Sequence, residues 1–403
     1  MLRAEGTTGV QTHVRELRRF LEATGSPVTL VTPFSWGRML AYPVFGFRVV
    51  LKRNPALSVA WYRRWHEAFL RKALARHLAG AGDCVIYAQG PLEARAALHA
   101  RSGPHQRIVM AVHYRISQAD EWCNTASGSI KRDGIVFRGI RRAERATIPR
   151  VDGIVYVSDW ARQALLTWLT EAAAVPSAVI GNFIMPLDQA APAPGQRPEP
   201  RRDLVSTGGL DIAKNHRFLL EVLAEAAKRG RSLTLDVYGE GPLRRDLQEK
   251  ARSLGLEGQV RLRGFRPDVR DFLPGYRVYV HPSYTETSSL AIMEAMYAGL
   301  PIVAAPVGGL PELLDDGVEG RFWDLGDPAR AAATLLELLD DEEEWHAASR
   351  AARERFTREF DAAVVVPRLG SFLRGTTDPD AAWLIPAGSA CFARPFAIDP
   401  RVR

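Results

Sequence analysis

The chain has 403 residues, 46% of them hydrophobic and 25% charged, a composition that excludes collagen-like and wholly disordered proteins. With 53 Lys and Arg against 46 Asp and Glu, the net charge is only +7, and without a recognition motif we predict no nucleic-acid partner. The three cysteines, Cys84, Cys123 and Cys391, are too few and scattered for a disulfide framework or a metal site. Lacking a signal-peptide core or an apolar run of about 20 residues, the sequence predicts a cytoplasmic protein, soluble or peripherally membrane-attached.

Short apolar runs alternate with helical patterns along most of the chain. The first half predicts strands at 28–32, 84–88, 107–112 and 153–157, with helices at 11–23, 56–79, 92–100 and 159–169. The second half predicts strands at 203–206, 233–238, 260–263, 277–281 and 301–305, with helices at 217–228, 243–254, 289–298 and 330–339. Such alternation predicts parallel sheets covered by helices on both faces, with ligands bound at the carboxyl edge of the strands.

The Pro- and Ala-rich residues 186–202 predict a linker between an N-terminal domain, 1–185, and a C-terminal domain, 203–355. Residues 375–403 contain four prolines and no clear period, so we expect a mobile tail. A glycine-containing loop begins already at Gly6, so the first strand is very short or the chain begins late.

The segment 281–299, HPSYTETSSLAIMEAMYAG, predicts a strand end, a loop and a helix capped by Ser288 or Ser289. Glu286 would then lie in the loop, and Glu294 about one and a half turns into the helix. Free amides at the helix start form an anion site, and two carboxylates beside it suit a nucleotide sugar, which combines hydroxyls with phosphate. The alternative is a solvated loop glutamate and an ordinary helical glutamate.

Two further residues are candidates from their position alone. Lys214 follows a strand and the paired glycines Gly208 and Gly209, which suits a phosphate contact; the alternative is a solvated surface lysine. His113 follows the strand at 107–112 and would face the ligand-binding edge; the alternative is a structural histidine.

Several sequence pieces occur in the order found in one known family. They are GTTGVQTHV, VMAVHY, VYVSDWAR and IGNF in the first half, and GGLDIAKNH, LDVYGEGP, VRLRGF, VYVHPSYTETSSLAIMEAMYAGLPIVA and VGGLPELLDDGVEG in the second. Over most of residues 6–374 the chain therefore resembles the retaining GT-B glycosyltransferases of family 4, also called group 1.

This resemblance implies an α/β GT-B fold: two Rossmann-like, doubly wound domains facing a central cleft, with a helix at 356–374 returning to the N-terminal domain. It implies transfer of a sugar, with retention, from a UDP- or GDP-sugar to a hydroxyl of a glycan, lipid-linked or small-molecule acceptor, as in polysaccharide biosynthesis. An oxygen of the leaving diphosphate would take the acceptor proton. The family needs no divalent ion, so we expect neither a metal nor a cofactor.

The resemblance also implies residue roles. Glu286 would hold the donor-sugar hydroxyls, Glu294 the ribose and Lys214 the diphosphate, with His113 near the reacting sugar. Further substrate contacts are expected from glycines and from the loop and start of the helix: Gly9, Gly208, Gly209, Gly239, Gly241, Thr287, Ser288, Ser289 and Leu290.

Two departures leave an alternative open. The family usually has an arginine at the position of Gly209 and a Gly-Phe-Gly-like loop at 287–289. Without the arginine at position 209, another residue, such as Arg217, would pair with the diphosphate, or activity would be reduced. A non-catalytic GT-B partner of an active transferase is therefore the second hypothesis.

The segment 52–79 is amphipathic, with aromatic residues Trp61, Trp65 and Phe69 interleaved with basic residues Arg63, Arg64, Arg71 and Lys72. Such a helix can lie on an anionic membrane surface, which would attach the protein to the inner face of the cell membrane. The alternative is a domain helix that packs its aromatic side chains into the core.

Overall fold

The computed structural model describes residues 8–123, 130–186 and 202–375. Each half of the chain forms one parallel sheet. The first sheet has the order β1-β2-β3-β4 and the second the order β10-β9-β8-β5-β6-β7. The strands are β1 (Cys84–Ala88), β2 (Gln106–Val112), β3 (Gly153–Tyr156), β4 (Ser177–Val179), β5 (Arg202–Thr207), β6 (Leu235–Tyr238), β7 (Val260–Gly264), β8 (Tyr276–His281), β9 (Ile302–Ala304) and β10 (Gly320–Phe322).

Helices cover both sheets. In the first half they are α1 (Gly9–Ala23), α2 (Arg38–Gly46), α3 (Pro55–Leu78), α4 (Pro91–Leu98), α5 (Gln118–Cys123), α6 (Ile135–Thr147) and α7 (Asp159–Leu166). In the second they are α8 (His216–Lys228), α9 (Arg244–Ser253), α10 (Leu290–Tyr297), α11 (Pro328–Asp340), α12 (Glu342–Arg355) and α13 (Ala362–Arg374). The two parallel α/β domains confirm the predicted fold class.

Most predicted elements are present to within a few residues, but the strand predicted at 28–32 is wrong. That segment is irregular, and Val28 is 40% exposed. No described strand pairs with it, and an apolar run without a neighbouring strand has no ladder to join. The short strands β4 and β10 and the helices α2, α5, α6 and α12 were not predicted. Strands β4 and β10 have three residues each, too few to show the alternation of apolar and polar side chains that predicts a strand.

Burial on both faces explains the continuous apolar strands. In β8, Val278 and Val280 pack in a core that includes Leu223 of α8, whereas Tyr279 between them packs with Met293 of α10. Successive side chains of a strand point to opposite faces. Because each face meets a helical layer, neither can be polar.

The end of the chain crosses from one domain to the other. Phe356 and Phe360 pack in the core of the second domain, and Ile184 donates its backbone N–H to Phe360 O at 3.1 Å. Helix α13 then packs against the first sheet, where its Val365 joins Val109 of β2 in one cluster. The predicted linker at 186–202 and tail at 375–403 lie almost entirely outside the described residues, as do Gly6 and the proposed first strand.

Ionic contacts also join the domains. Arg270, which follows β7, donates from Nη2 to Oε1 of Glu16 on α1 at 2.8 Å and from Nη1 to Met185 O at 2.9 Å. The side chain of Glu16 is fully buried, and that of Arg270 is 9% exposed. Elsewhere, Glu312 accepts bonds from two backbone N–H groups at the start of α7, both 2.7 Å. These contacts join the two domains directly.

We predict that Arg270→Met lowers the free energy of unfolding by about 3–5 kcal/mol, because it leaves the carboxylate of Glu16 buried without its closest cation. The double variant Glu16→Met/Arg270→Met should lose less than Arg270→Met alone. Chemical denaturation measures both. A matched control is Arg245→Met, which removes an exposed ion pair with Glu249 and should change stability by about 0.5 kcal/mol or less. A double variant less stable than Arg270→Met would contradict this account.

Candidate functional site

A cleft of about 550 Å³ lies between the carboxyl edges of the two sheets. The first domain contributes the start of α1 and the ends of β2, β3 and β4, and the second contributes the loops after β5 to β8 and the start of α10. Twelve sequence-predicted residues line it: Gly9, His113, Gly208, Gly209, Lys214, Gly239, Glu286, Thr287, Ser288, Ser289, Leu290 and Glu294. The fold therefore brings together residues that are up to 285 positions apart in the printed sequence.

Gly241 is the predicted residue that does not line the cleft. A Cβ atom there would lie 2.3 Å from Leu210 O, so a side chain would clash with the neighbouring loop. Gly239 has a similar constraint, since a Cβ atom would lie 1.8 Å from Gly208 O. At both positions the absence of a side chain lets the backbones of two loops of the second domain lie in direct contact. Of these two glycines, only Gly239 also lines the cleft.

Glu286 lies at the centre of a polar cluster. Its Oε1 accepts bonds from Lys214 Nζ, from His281 Nε2 at 2.9 Å and from Ser283 Oγ at 3.1 Å. Burial alone would raise the pKa of Glu286, but the ammonium of Lys214 and the bond from His281 hold that pKa well below its ordinary value. All three bonds go to Oε1, and no described residue donates to Oε2. The carboxylate is thus fixed and ionised, with one oxygen left for a ligand.

Histidines beneath this cluster are neutral. Burial lowers the pKa of His281, and it lowers the pKa of His216 to about 3. A neutral His281 donates one N–H to Glu286, so it orients the carboxylate without adding a charge. The positive charge beside Glu286 comes from Lys214, whose side chain is 30% exposed.

Glu294 lies one helical turn beyond the start of α10, with its Oε1 3.7 Å from Nε of Arg270. Burial raises the pKa of Glu294, while Arg270 opposes that change. The arginine that joins the domains therefore also faces the second carboxylate of the cleft.

The start of α10 is capped from within its own loop. Ser289 Oγ accepts a bond from Ile292 N at 3.4 Å, and Ser288 Oγ is buried without a partner among the described residues. The same loop contacts the other domain, because Thr287 Oγ1 donates to His113 O at 3.1 Å and Asn182 Nδ2 donates to Ser288 O at 3.2 Å. The helix start thus presents free donors at a place where both domains meet.

His113 is held from the first domain. Its Nε2 donates to Gln89 Oε1 at 3.1 Å, and its ring meets the His13 ring edge-on at a centroid distance of 4.9 Å. Burial lowers the pKa of His113 well below its ordinary value, and that of His13 to about 4. At neutral pH both rings are uncharged, so His113 can take part in hydrogen bonding but is a poor acid.

Other cleft residues were missed by sequence reasoning. They include Arg15 and Asn182 of the first domain and Tyr238, Phe265 and Arg266 of the second. Asn182, Tyr238 and Phe265 lie within the sequence pieces quoted above, and Arg15 and Arg266 directly follow one, but none carries a signal of its own. Arg217, considered as a substitute cation, lies outside the cleft lining, 3.8 Å from Glu221 and 3.7 Å from Asp246. In the described part of the chain, no three His, Cys, Asp or Glu residues cluster as a metal site.

Comparison with protein families gives two matches. Residues 7–185 match the model of glycosyltransferase family 4, and residues 201–341 match that of glycosyl transferases group 1. A curated relative, the 2-deoxystreptamine glucosyltransferase of Streptomyces kanamyceticus, is 31% identical over 56% of this chain and 64% of its own length. The chain spans between about a third and two thirds of the length of the curated relatives it matches.

Solved structures are similar in fold. Sucrose-phosphate synthase from Thermosynechococcus elongatus has a TM-score of 0.63 at 19% identity, covering 78% of each chain. HepE of Anabaena, in complex with UDP and glucose, has a TM-score of 0.58 at 20% identity, covering 75% of this chain and 81% of its own.

We predict that Gly308→Ala destabilises the loop that carries Glu286. Gly308 has φ +59°, and a Cβ atom would lie 2.0 Å from Glu286 O. The matched control is Gly317→Ala, because Gly317 has φ +80° but open space around it. That control should lose only the backbone strain, about 1–3 kcal/mol, and Gly308→Ala should lose more. Thermal unfolding measures both; equal losses would show that the close approach to Glu286 is unimportant.

Proposed function

The chain belongs to glycosyltransferase family 4, and on that premise we propose that it transfers a sugar from a nucleotide-diphosphate sugar to a hydroxyl acceptor. The observation that carries the proposal is Glu286. Its carboxylate is ionised, fixed through Oε1 and open at Oε2, beside Lys214 and the start of α10. One cleft thus offers a strong acceptor for hydroxyls next to donors for an anion.

The donor would lie with its sugar at Glu286 and its diphosphate at Lys214 and the start of α10. Carboxylate oxygens accept strong bonds from hydroxyls, and free amides at a helix start bind phosphate. Glu294, farther along α10, would hold the ribose. Its raised pKa does not prevent this, because a carboxyl group in either protonation state has an oxygen that accepts a hydrogen bond.

The titration states of the cleft residues favour a reaction in which the leaving group itself takes the acceptor proton. A carboxylate with a strongly lowered pKa, as in Glu286, is a weak base, and neutral His113 is a poor acid. We infer that the bond from the anomeric carbon to the diphosphate breaks while the acceptor oxygen bonds to that carbon on the same face. The acceptor proton then moves to an oxygen of the leaving diphosphate. The protein positions the reactants and stabilises the leaving charge, without a metal.

We infer a UDP- or GDP-sugar as the donor and a glycan, a lipid-linked molecule or a small molecule as the acceptor. The matched relative named above is a glucosyltransferase, and the similar HepE structure contains UDP and glucose. The acceptor would approach from the first domain, past Thr12 and Glu121, which line that side of the cleft.

We predict that Glu286→Gln lowers turnover more than Glu294→Gln, because only Glu286 touches the reacting sugar. Loss of one charged hydrogen bond from the transition state should cost about 1.5–3 kcal/mol, or about tenfold to a hundredfold in rate. Glu294→Gln should instead act mainly on KM. Slow hydrolysis of UDP- and GDP-sugars provides the assay without a known acceptor.

Thermal stabilisation by UDP and GDP is measured in parallel, so binding is separated from catalysis. An unchanged rate in Glu286→Gln would contradict the assigned role of this carboxylate. Nucleotide binding with no turnover of any donor would instead favour a non-catalytic partner of an active transferase.

Membrane attachment is a second element of the proposal, on a different surface from the one predicted. Trp61 and Phe69 of α3 do not face outwards: Trp61 Nε1 donates to Val44 O at 2.7 Å and Phe69 is buried. Arg63 donates to Gln118 at 2.9 Å and lies largely inside the domain. The α3 helix therefore packs as a domain helix, and the predicted membrane face of 52–79 is wrong for these residues.

Exposed apolar side chains concentrate instead in the segment that runs from α2 into the first turn of α3. We call residues 39–57 the apolar ridge; its exposed large members are Met39, Leu40, Tyr42, Phe47, Val49, Val50 and Leu57. Met39 is 89% exposed, and exposed Arg53 follows Val50 by three positions in the chain. We infer that the ridge inserts into an anionic bilayer. Among the described residues, no helix has the length and apolarity needed to cross one.

We predict that Val49→Ser/Val50→Ser weakens binding to vesicles of phosphatidylglycerol and phosphatidylcholine by about tenfold or more, since each buried valine contributes about 1.5 kcal/mol. Binding of the wild type should fall as salt rises. Ile135→Ser is the matched control, because Ile135 is 82% exposed outside the ridge. Co-sedimentation measures binding. A wild type that never pellets at low salt, or equal effects of both variants, would overturn the assignment.

A further inference from the structure

The cleft lining has few cations to compensate the negative charge of a donor diphosphate. Among the described residues, its lining contains three arginine or lysine side chains: Arg15, Lys214 and Arg266. Lys214 is paired with Glu286, so part of its charge is already compensated. Arg266 forms two bonds with Asp268, at 2.9 and 2.8 Å. A nucleotide sugar has one negative charge on each phosphate, and a further charge develops as the sugar leaves.

Arg15 is the least committed of these cations. Its ion contact is with Glu16, at 3.6 Å, and Oε1 of Glu16 already accepts the 2.8 Å bond from Arg270. The Arg15 side chain is 38% exposed in the cleft wall. Because the carboxylate partner of Arg15 is distant and shared with Arg270, the guanidinium of Arg15 can turn towards a ligand with only a small loss of interaction energy.

The position of α1 directs this side chain towards the phosphate end of the cleft. The start of α1 lies beside the start of α10, because a Cβ atom on Gly9 would lie 3.9 Å from Leu290 Cδ1. Side chains of a helix lean towards its N-terminus. Arg15, less than two turns into α1, therefore leans back towards the place where the two helix starts meet.

We propose that Arg15 binds the diphosphate of the donor from the first domain, opposite Lys214 of the second. This rests on the proposed function, and it deepens it by assigning a second phosphate cation. The consequence is that both domains hold the same leaving group. The diphosphate then acts as a bridge that favours the closed cleft, and its charge is compensated only when the cleft is closed.

The test compares Arg15→Gln with Arg19→Gln by calorimetric titration with UDP, GDP, uridine and guanosine. Arg19 is the matched control: it lies on α1, is 41% exposed and is 4.0 Å from Glu16, but it does not line the cleft. We expect Arg15→Gln to weaken binding of the diphosphate by about tenfold to a hundredfold, with the nucleoside unaffected. Arg19→Gln should leave both unchanged.

A rescue variant makes the test stricter. Gly209 lines the cleft beside the Lys214 loop and does not have a positive φ, and a Cβ atom there meets Asp211 Oδ2 at 3.1 Å as its nearest neighbour. Gly209→Arg in the Arg15→Gln background should restore binding of the diphosphate, because it returns a cation to the same cleft from the other domain.

The outcomes separate this inference from the function on which it rests. A wild type that binds neither UDP nor GDP overturns both. A wild type that binds one of them, with equal affinities in Arg15→Gln and Arg19→Gln, overturns only the role of Arg15. Equal weakening of diphosphate and nucleoside binding also overturns it, because the effect of Arg15→Gln would then not depend on the phosphates.

Discussion

The guanidinium of Arg270 forms the buried ionic contact between the two halves of the molecule. It bonds Glu16 and the carbonyl of Met185 in the first domain, and it lies 3.7 Å from Glu294 in the second. A charge this deeply buried is tolerated only when its partners are in place. The contact between the domains and the surroundings of Glu294 in the cleft therefore depend on the same group.

The chemistry of the cleft follows from burial as much as from residue type. Burial shifts His113, His216 and His281 towards the neutral form, so none of them adds positive charge to the cleft. Glu286 is equally enclosed but stays ionised, because Lys214 is beside it. The result is a cleft with a fixed carboxylate and a nearby ammonium, in which none of these residues is a strong acid or base. That suits a reaction in which the leaving group itself accepts the proton.

Much of the site could be predicted because the ends of the strands can be located in the sequence. In a parallel sheet, residues that follow strands collect at one edge, and His113, Lys214 and Glu286 each follow a predicted strand. The prediction was less successful where a residue acts through packing. Gly241 resembles Gly239 in the sequence, yet one supports a neighbouring loop and the other also lines the cleft. Trp61 resembles a surface aromatic by periodicity, but α2, which was not predicted, covers it.

Sequence alone determined the two parallel sheets, their order along the chain and the candidate carboxylates, because apolar period and local motifs are properties of neighbouring residues. Tertiary structure decided which charges meet. Arg270 and Glu16 are 254 positions apart, Arg15 reaches the cleft only because α1 lies beside α10, and Arg217 turns away to Glu221 and Asp246. The strand predicted at 28–32 is absent for the same reason, since a strand needs a neighbour. Ion pairs, strand pairing and burial all depend on distances between distant segments, and the fold sets those distances.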